Sequence, residues 1–405
     1  MPNSRRHFLK TALTLPLALA VGPSLLHAAE TPAAPASAPS TGEILPTRQL
    51  GKNGPQISML SMGGMMAALS PEYLDIAWSM GIRCFDTSDC YLKGESEKIF
   101  GAWLAKYPER RKEIFLVTKD HPKNGPEQLL EQIDRRLAAL GTSYVDAFYI
   151  HGISPKAYQG SLEWPKSEAF KKVVEELKKS GKCRKVGFSC HDAQVVDFLN
   201  AAAQGGFVDV IMLSYSPFFT KGDAFDAALD AAYKAGIGLI AMKTMRALGE
   251  VPKRIPEFDK LGLTTHEALF HAVWSDPRIS AVCSMINNVA EMEMNSGAAR
   301  SFKKPLTAAQ IDLLKGVALA HRRAFCPGCP SCRAFGAESG FALQDISRFV
   351  SYYEMDGRLE SRELYHALPA LARDASRVDL AALREACEFK TDYPEIVRRA
   401  ERYFA

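Results

Sequence analysis

At 405 residues, 47% of them hydrophobic, the chain has ample apolar material for a sizeable core and is longer than one domain of ordinary size. Its formal charge is +4, and three of those positive charges, Arg5, Arg6 and Lys10, stand in an N-terminal stretch without an acid. The remainder is near neutral, which excludes the basic footprint of a nucleic-acid binder.

Residues 1–29 read as an address rather than as structure. Ser4-Arg5-Arg6-His7-Phe8-Leu9-Lys10 precedes the apolar stretch Thr11 to Gly22, the basic start and short apolar region of a removable secretory signal. About a dozen apolar residues are too few to span a bilayer, which needs roughly 20. The segment resembles the twin-arginine signal family, matching its S-R-R-x-F-L-K pattern. That resemblance implies export of an already folded, cofactor-holding protein to the periplasm, with membrane contact only during export. Ala28 and Ala29 offer small residues for cleavage. Residues 30–46, rich in Ala, Pro, Ser and Thr through Gly42, read as a disordered linker.

From Thr47 the pattern becomes regular. Thr47 to Ile57 carries Asn53-Gly54 between two short extended stretches, which reads as a hairpin able to plug the bottom of a barrel. Short apolar runs follow near Ser58 to Gly63, Cys84 to Thr87, Ile114 to Thr118, Ala147 to His151, Lys185 to Ser189, Val210 to Leu213, Gly238 to Met242 and Ala281 to Met285. Helical spacing appears between them, as in Glu95 to Lys106, Glu127 to Ala139, Ser167 to Ser180, Ala224 to Ala235 and Thr265 to Trp274. Eight strand-helix units predict a (β/α)8 barrel over residues 47–322. A typical barrel takes about 250 residues, which leaves room for an appended helical tail over 323–405.

Four polar residues stand at or beyond the ends of three of these strands: Asp86, Tyr91, Lys119 and His151. In such a barrel the carboxyl ends of all strands open on one face, so these residues converge there. A tyrosine has a reference pKa of about 10, and lowering it by about three units takes roughly 4 kcal/mol. Lys119 is expected to favour the Tyr91 phenolate, Asp86 to orient Lys119, and His151 to hydrogen-bond a carbonyl or share in proton delivery. Such a group suits protonation of a carbonyl oxygen by Tyr91 while a nicotinamide delivers hydride, or the reverse.

These residues lie in Phe85-Asp86-Thr87 with Tyr91 and Gly94-Glu95-Ser96-Glu97, Val117-Thr118-Lys119, Tyr144-Val145-Asp146-Ala147-Phe148-Tyr149-Ile150-His151, and Gly181-Lys182 leading to Lys185-Val186-Gly187-Phe188-Ser189. On these motifs, over roughly Thr47 to Ala299, the chain resembles the aldo/keto reductase family. The resemblance implies a catalytic tetrad of Asp86, Tyr91, Lys119 and His151 and an NADP or NAD cofactor. The family's Ser-Asn pair and Gln, which hold the nicotinamide amide, correspond here to Ser189-Cys190 and Met212. Tyr215 matches the aromatic that stacks on the nicotinamide. Ser284 and Asn287 stand before a helix start able to take pyrophosphate, without a Lys or Arg for a 2′-phosphate. Lys243, after strand seven, meets a phosphate or acidic substrate, or is a solvated strand end.

Beyond the barrel, Cys326, Cys329 and Cys332 form C-x2-C-x2-C, spacing that suits an iron-sulfur cube with a remote fourth ligand, for which Cys387 is the candidate. The region resembles the ferredoxin-like tail of a subset of aldo/keto reductases, with Arg348 to Pro369 as its helical hairpin. It departs from that pattern around Phe335-Gly336 and at Tyr393-Pro394, so two clusters are excluded. One 4Fe-4S cluster, a zinc on the same thiolates, or a decayed tail stand open. In the last helix Tyr393 and Phe404 are expected to pack inward and Glu385, Arg398, Arg399 and Glu401 to face solvent, against either the barrel or another subunit.

The sequence thus predicts an exported (β/α)8 oxidoreductase acting on a small carbonyl or alcohol, with a possible redox partner. The alternatives are a non-catalytic ligand-binding barrel and an iron-sulfur electron-transfer protein.

Overall fold

The computed structural model describes residues 42–219, 222–246, 248–321, 325, 326, 328, 329, 335, 339–357 and 359–404, with the side chains of 355 and 356 excepted. The signal segment, most of the linker and Cys332 lie outside the described residues. Strands β3 (Leu60–Gly63), β4 (Cys84–Asp86), β5 (Phe115–Asp120), β6 (Val145–Ile150), β7 (Cys183–Cys190), β8 (Val210–Ser214), β9 (Gly238–Met242) and β10 (Ile279–Ser284) close into a barrel in sequence order, each parallel to the next. All eight expected strands are present, so the (β/α)8 reading holds.

Strand alternation sorts the core into two layers. Cys84, Val117, Ala147, Tyr149, Val210, Met212, Ile240 and Ala281 fill the barrel axis. Their neighbours Phe85, Leu116, Phe148, Phe188, Ile211 and Leu239 face the helices. The hairpin of β1 (Thr47–Gln49) and β2 (Gln56–Ser58) contributes Leu50 and Ile57 to the axial layer, which makes it the expected plug. A Cβ on Gly238 would stand 2.4 Å from the end of the Leu50 side chain, so a side chain there would displace Leu50.

The linker expectation needs correcting at its end. Leu45 is buried and its amide donates to the Gly81 carbonyl at 3.0 Å, because an apolar side chain here finds a slot beside the first barrel helix.

The surrounding helices are α1 (Pro71–Ser79), α2 (Glu95–Lys106), α3 (Leu129–Leu140), α4 (Glu168–Lys179), α5 (Val195–Gly205), α6 (Asp223–Lys234), the short α7 (Pro256–Asp259), α8 (Thr265–Trp274), α9 (Val289–Ser301) and α10 (Ala308–Ala320). In α4 the buried residues Phe170, Val173, Val174 and Leu177 recur at helical spacing, and Ser167 caps the Phe170 amide. Thr264 and Glu267 form a capping box that starts α8.

The tail folds into α11 (Leu343–Asp356), α12 (Glu360–Ala367), α13 (Ala370–Arg373), α14 (Leu380–Ala386) and α15 (Tyr393–Phe404). Phe341, Ile346, Phe349, Val350, Tyr393, Ile396 and Phe404 share one apolar cluster with barrel residues Phe218, Phe219, Leu248, Phe258 and Leu269. The last helix packs on α11, α12 and α14 of the tail, and Tyr393 and Phe404 face inward as their spacing predicts. Glu385, Arg398 and Glu401 are exposed, whereas Arg399 is half-buried.

Candidate active site

Asp86 ends β4, Lys119 lies in β5 and His151 follows β6, while Tyr91 sits on the loop between β4 and α2. That loop is held against β5: the Thr87 amide donates to the Val117 carbonyl and the Asp89 amide to the Lys119 carbonyl. Immediately after Tyr91, Leu92 and Lys93 adopt φ of 51° and 58°, and Gly94 follows at 89°. Left-handed backbone costs of order 1–3 kcal/mol per non-glycine residue, and here it turns the chain so that Tyr91 faces the strand ends.

The four tetrad residues come together. Lys119 Nζ donates to Asp86 Oδ1 at 2.6 Å, to the Thr87 carbonyl at 2.8 Å and to the Tyr91 hydroxyl at 3.1 Å. The Tyr91 and His151 rings meet edge to face at 5.5 Å. Since Lys119 gives a proton to the phenol oxygen, the phenol keeps its own proton for another acceptor.

Burial raises the Tyr91 hydroxyl above its ordinary range, and the pull of Lys119 in the other direction does not overcome it. Lys119 thus pulls the phenol in the expected direction, but the cost of burying a phenolate is larger, so the phenol stays protonated. Burial acts to lower Lys119 itself, but Asp86 and Tyr91 win and keep it cationic. Asp86 is raised by burial against the pull of Lys119, and its Oδ2 is buried with no hydrogen-bond partner. Burial draws His151 down to about 3, so its imidazole is neutral.

The His151 tautomer follows from its neighbours. Ser88 Oγ donates to Asp89 Oδ1 at 2.6 Å and stands 2.8 Å from His151 Nδ1. A hydroxyl has one proton, and Ser88 has given it to the carboxylate. The donor in the second contact is therefore His151 Nδ1–H.

The residues assigned to the cofactor do not converge in the same way. Ser189 Oγ accepts from the Gly152 amide at 2.8 Å, which leaves its own proton to donate. Asn287 is exposed at the start of α9, and both its amide groups donate to Glu291. Ser284 Oγ is turned to the Met285 carbonyl and Asn295.

Tyr215 departs from its assigned place. It packs in the outer apolar layer, its hydroxyl donates to Asp276 at 2.8 Å, and it lines an outer cavity of about 560 Å³ with Tyr233 and Arg278. Tyr215 follows a strand whose inward positions are Val210 and Met212, so alternation sends Tyr215 outward.

Lys243, with φ of 59°, is half-buried, and its Nζ donates to the Tyr352 hydroxyl at 2.7 Å. Tyr352 belongs to α11, which lies over the strand ends. There Arg348 donates to the His191 ring and Gln344 to the His191 carbonyl, Arg246 donates to Ser351, and Lys156 pairs with Asp345 at 2.6 Å. Sequence reasoning did not single out His191, Arg246, Arg348 or Tyr352. The one available signal was position, since His191 and Arg246 follow strand ends.

In the tail Cys326 and Cys387 are buried and Cys329 is half-buried. Cys387 Sγ accepts from the Thr391 amide at 3.5 Å and the Tyr393 hydroxyl at 3.4 Å. Burial acts to raise this thiol, but these donors lower it on balance. Among the described residues, Cys326, Cys329 and Cys387 do not bring three sulfurs close enough to share one ion.

The comparisons with known proteins agree with the barrel. Aldo-keto reductase yakc [NADP(+)] of Schizosaccharomyces pombe is 32% identical over 192 residues, 43% of this chain and 53% of that protein. Aldo-keto reductase str7 of Strobilurus tenacellus is 28% identical over 218 residues, 49% of this chain and 60% of that protein. L-galactose dehydrogenase of Arabidopsis thaliana is 28% identical over 223 residues, 52% of this chain and 68% of that protein. The chain thus spans between about half and two thirds of the length of these curated relatives. The solved aldo-keto reductase AKR11C1 from Bacillus halodurans superposes with a TM-score of 0.54 at 20% identity, over 68% of this chain and 96% of that chain, a likeness of fold. The model of the aldo/keto reductase family matches residues 58–314, from the end of the hairpin into α10, and the chain belongs to that family.

Proposed function

We propose that the protein interconverts a small aldehyde or ketone and its alcohol by hydride exchange with a nicotinamide dinucleotide. The observation that carries this reading is the Lys119 bridge between Asp86 and Tyr91, which leaves a half-buried neutral phenol with its proton available. When bound, the nicotinamide supplies or accepts the hydride. Tyr91 delivers a proton to the carbonyl oxygen, Lys119 holds the phenol oxygen in place, Asp86 fixes Lys119, and His151 walls the pocket edge-on to Tyr91.

The donor set fits such a cofactor in part. The free proton of Ser189 suits the nicotinamide amide, and the N-terminus of α9 suits pyrophosphate. Glu291 sits there as a carboxylate, which suits a ribose hydroxyl and repels a 2′-phosphate, so the reading prefers NAD to NADP. One relative's name specifies NADP(+), and another's names L-galactose as the molecule dehydrogenated; a hydroxylated aldehyde is accordingly the first substrate to try.

The test is NADH oxidation with a panel of small aldehydes by wild type and Tyr91→Phe. The variant should lose about 10²–10⁴ in kcat while still binding NADH. Equal turnover by both forms overturns the acid/base role of Tyr91.

The same reading includes export by the twin-arginine route to the periplasm, supported by Ser4 to Lys10. It also includes one 4Fe-4S cluster on Cys326, Cys329, Cys332 and Cys387, structural or a one-electron relay to a redox partner, supported by the C-x2-C-x2-C spacing; the described sulfurs would have to draw together to hold it. A second reading, a ligand-binding barrel without turnover, is favoured by the outward turn of Tyr215 and the engagement of Lys243 by the tail. NADH binding by wild type separates the two.

A further inference from the structure

The loop between β4 and α2 places Asp89 and Cys90 directly before Tyr91, and the ends of β5 and β6 bring His121 and His151 beside them. Each of the four offers one ligand atom, and these atoms all lie within 4.8 Å of one another. We propose that Asp89, Cys90, His121 and His151 bind one divalent transition-metal ion of the zinc class at the wall of the tetrad pocket.

The spacing fits one tetrahedral ion. His151 Nδ1 lies 3.6 Å from Cys90 Sγ and 3.7 Å from Asp89 Oδ1, and His121 Nδ1 lies 2.9 Å from Asp89 Oδ2. With bonds of about 2.0–2.1 Å to nitrogen or oxygen and about 2.3 Å to sulfur, tetrahedral edges run from about 3.3 to 3.6 Å. The widest separation among the four donors is within 4.8 Å, so side-chain adjustments of up to about an ångström bring them onto that shape. Two imidazoles, a thiol and a carboxylate form a borderline-soft set that suits zinc and not magnesium or calcium.

The surroundings also hold the ligands in place. Ser88 Oγ donates to Asp89, the Gln132 amide donates to the His121 carbonyl at 3.0 Å, the His121 amide donates to Asp120, and the Tyr158 hydroxyl donates to the His151 carbonyl at 2.6 Å. Outer partners of this kind orient metal ligands. Cys90 is exposed, which gives an ion a way in.

The ordinary alternative is that Asp89 merely hydrogen-bonds two histidines. That alternative accounts for Asp89, His121 and His151, and it leaves Cys90 only two long contacts, at 3.6 Å to Ser88 Oγ and to His151 Nδ1. Cys90 is the donor that turns a hydrogen-bonded trio into a four-coordinate set.

Occupancy has a consequence for the tetrad, which rests on the reading of the chain as a carbonyl reductase. Without an ion, His151 carries its proton on Nδ1 toward Ser88. An ion on Nδ1 releases that proton to solvent, and the neutral ring takes a proton back on Nε2. Cys90 loses its proton to solvent as it binds. His151 then becomes an N–H donor at its second nitrogen, the form that a carbonyl oxygen accepts from.

The experiment is a titration of chelator-treated full-length protein with Co²⁺, followed by displacement with Zn²⁺. Wild type, Cys90→Ser, His121→Gln and the tail variant Cys329→Ser/Cys387→Ser are compared, with circular dichroism confirming the fold of each. The expected result is visible bands of tetrahedral cobalt with a near-ultraviolet band from one thiolate, at one ion per chain, intact in the tail variant. Cys90→Ser should lose the thiolate band, and His121→Gln should bind at least tenfold more weakly. Binding that survives in Cys90→Ser and His121→Gln but disappears in the tail variant overturns the proposal, as does no binding by wild type. If Cys90→Ser fails to fold, His121→Gln carries the comparison. None of these readouts requires turnover, so a failure of the reductase reading shows separately, as absent NADH oxidation by cobalt-loaded and metal-free protein alike.

Discussion

Lys243 Nζ donates to the Tyr352 hydroxyl at 2.7 Å, and this bond ties the loop after β9 to the first long helix of the tail. Burial draws Lys243 down to about 7, and Arg246 and Arg348 push the same way. Burial acts to raise Tyr352, but the three cations hold it well below its ordinary range. The catalytic face of the barrel is thus roofed by the chain's own C-terminal segment, through a cluster of charges and not only through apolar contact.

This pair makes stability depend on pH with a definite sign. Between about pH 7 and 10.5 an unfolded lysine still holds a proton that folded Lys243 has released. The unfolded state binds more protons there, so stability contributed by Lys243 rises with pH through that window. Lys243→Met should lose that rise. Urea midpoints for both proteins from pH 7 to 10 should converge or diverge accordingly, by an amount on the order of 2 kcal/mol. Parallel midpoints at every pH would show that Lys243 titrates normally.

Asp86 and Lys119 should behave as one unit. Lys119→Met strands a buried carboxylate and should cost about 3–5 kcal/mol in denaturant unfolding. Adding Asp86→Asn removes the stranded charge, so the double variant should be more stable than Lys119→Met alone. Additive losses in the cycle would contradict the 2.6 Å pairing of Lys119 Nζ with Asp86.

Leu50 is the apolar stopper at the bottom of the barrel, only 3% exposed and packed on Gly238. Leu50→Ala should cost about 2–5 kcal/mol and lower the melting temperature without changing the tetrad's chemistry. Thermal scans together with NADH turnover measured well below the transition would separate a stability loss from a catalytic one.

Glu291 accepts from the Asn287 amide at 2.8 Å at the start of α9. Replacing it with lysine should shift the ratio of NADPH to NADH affinity by at least tenfold toward NADPH, about 1.4 kcal/mol. Fluorescence titration of both cofactors gives that ratio directly. An unchanged ratio would place the adenosine ribose elsewhere.

Much of this architecture is local and was therefore legible. The apolar runs at Cys84–Phe85, Ile114 to Thr118 and Ala147 to Ile150 need only their own composition to become strands, and their order along the chain is their order around the barrel. Asp86, Lys119 and His151 then meet because parallel strands share one open end. Tyr91 was legible from its motif, but its pointing direction depends on the left-handed turn at Leu92 and Lys93, which neither residue type advertises.

What the amino-acid sequence by itself determined was the barrel, its hairpin plug and the tetrad, because these follow from alternation, turn chemistry and strand order. What only the tertiary structure decided was the protonation of Tyr91, the outward turn of Tyr215 and the tail's seat on the catalytic face. The physical reason is that each depends on groups far apart in the chain: on how deeply Tyr91 and Lys119 are buried, on Asp276 reaching Tyr215, and on Tyr352 finding Lys243 across more than 100 residues.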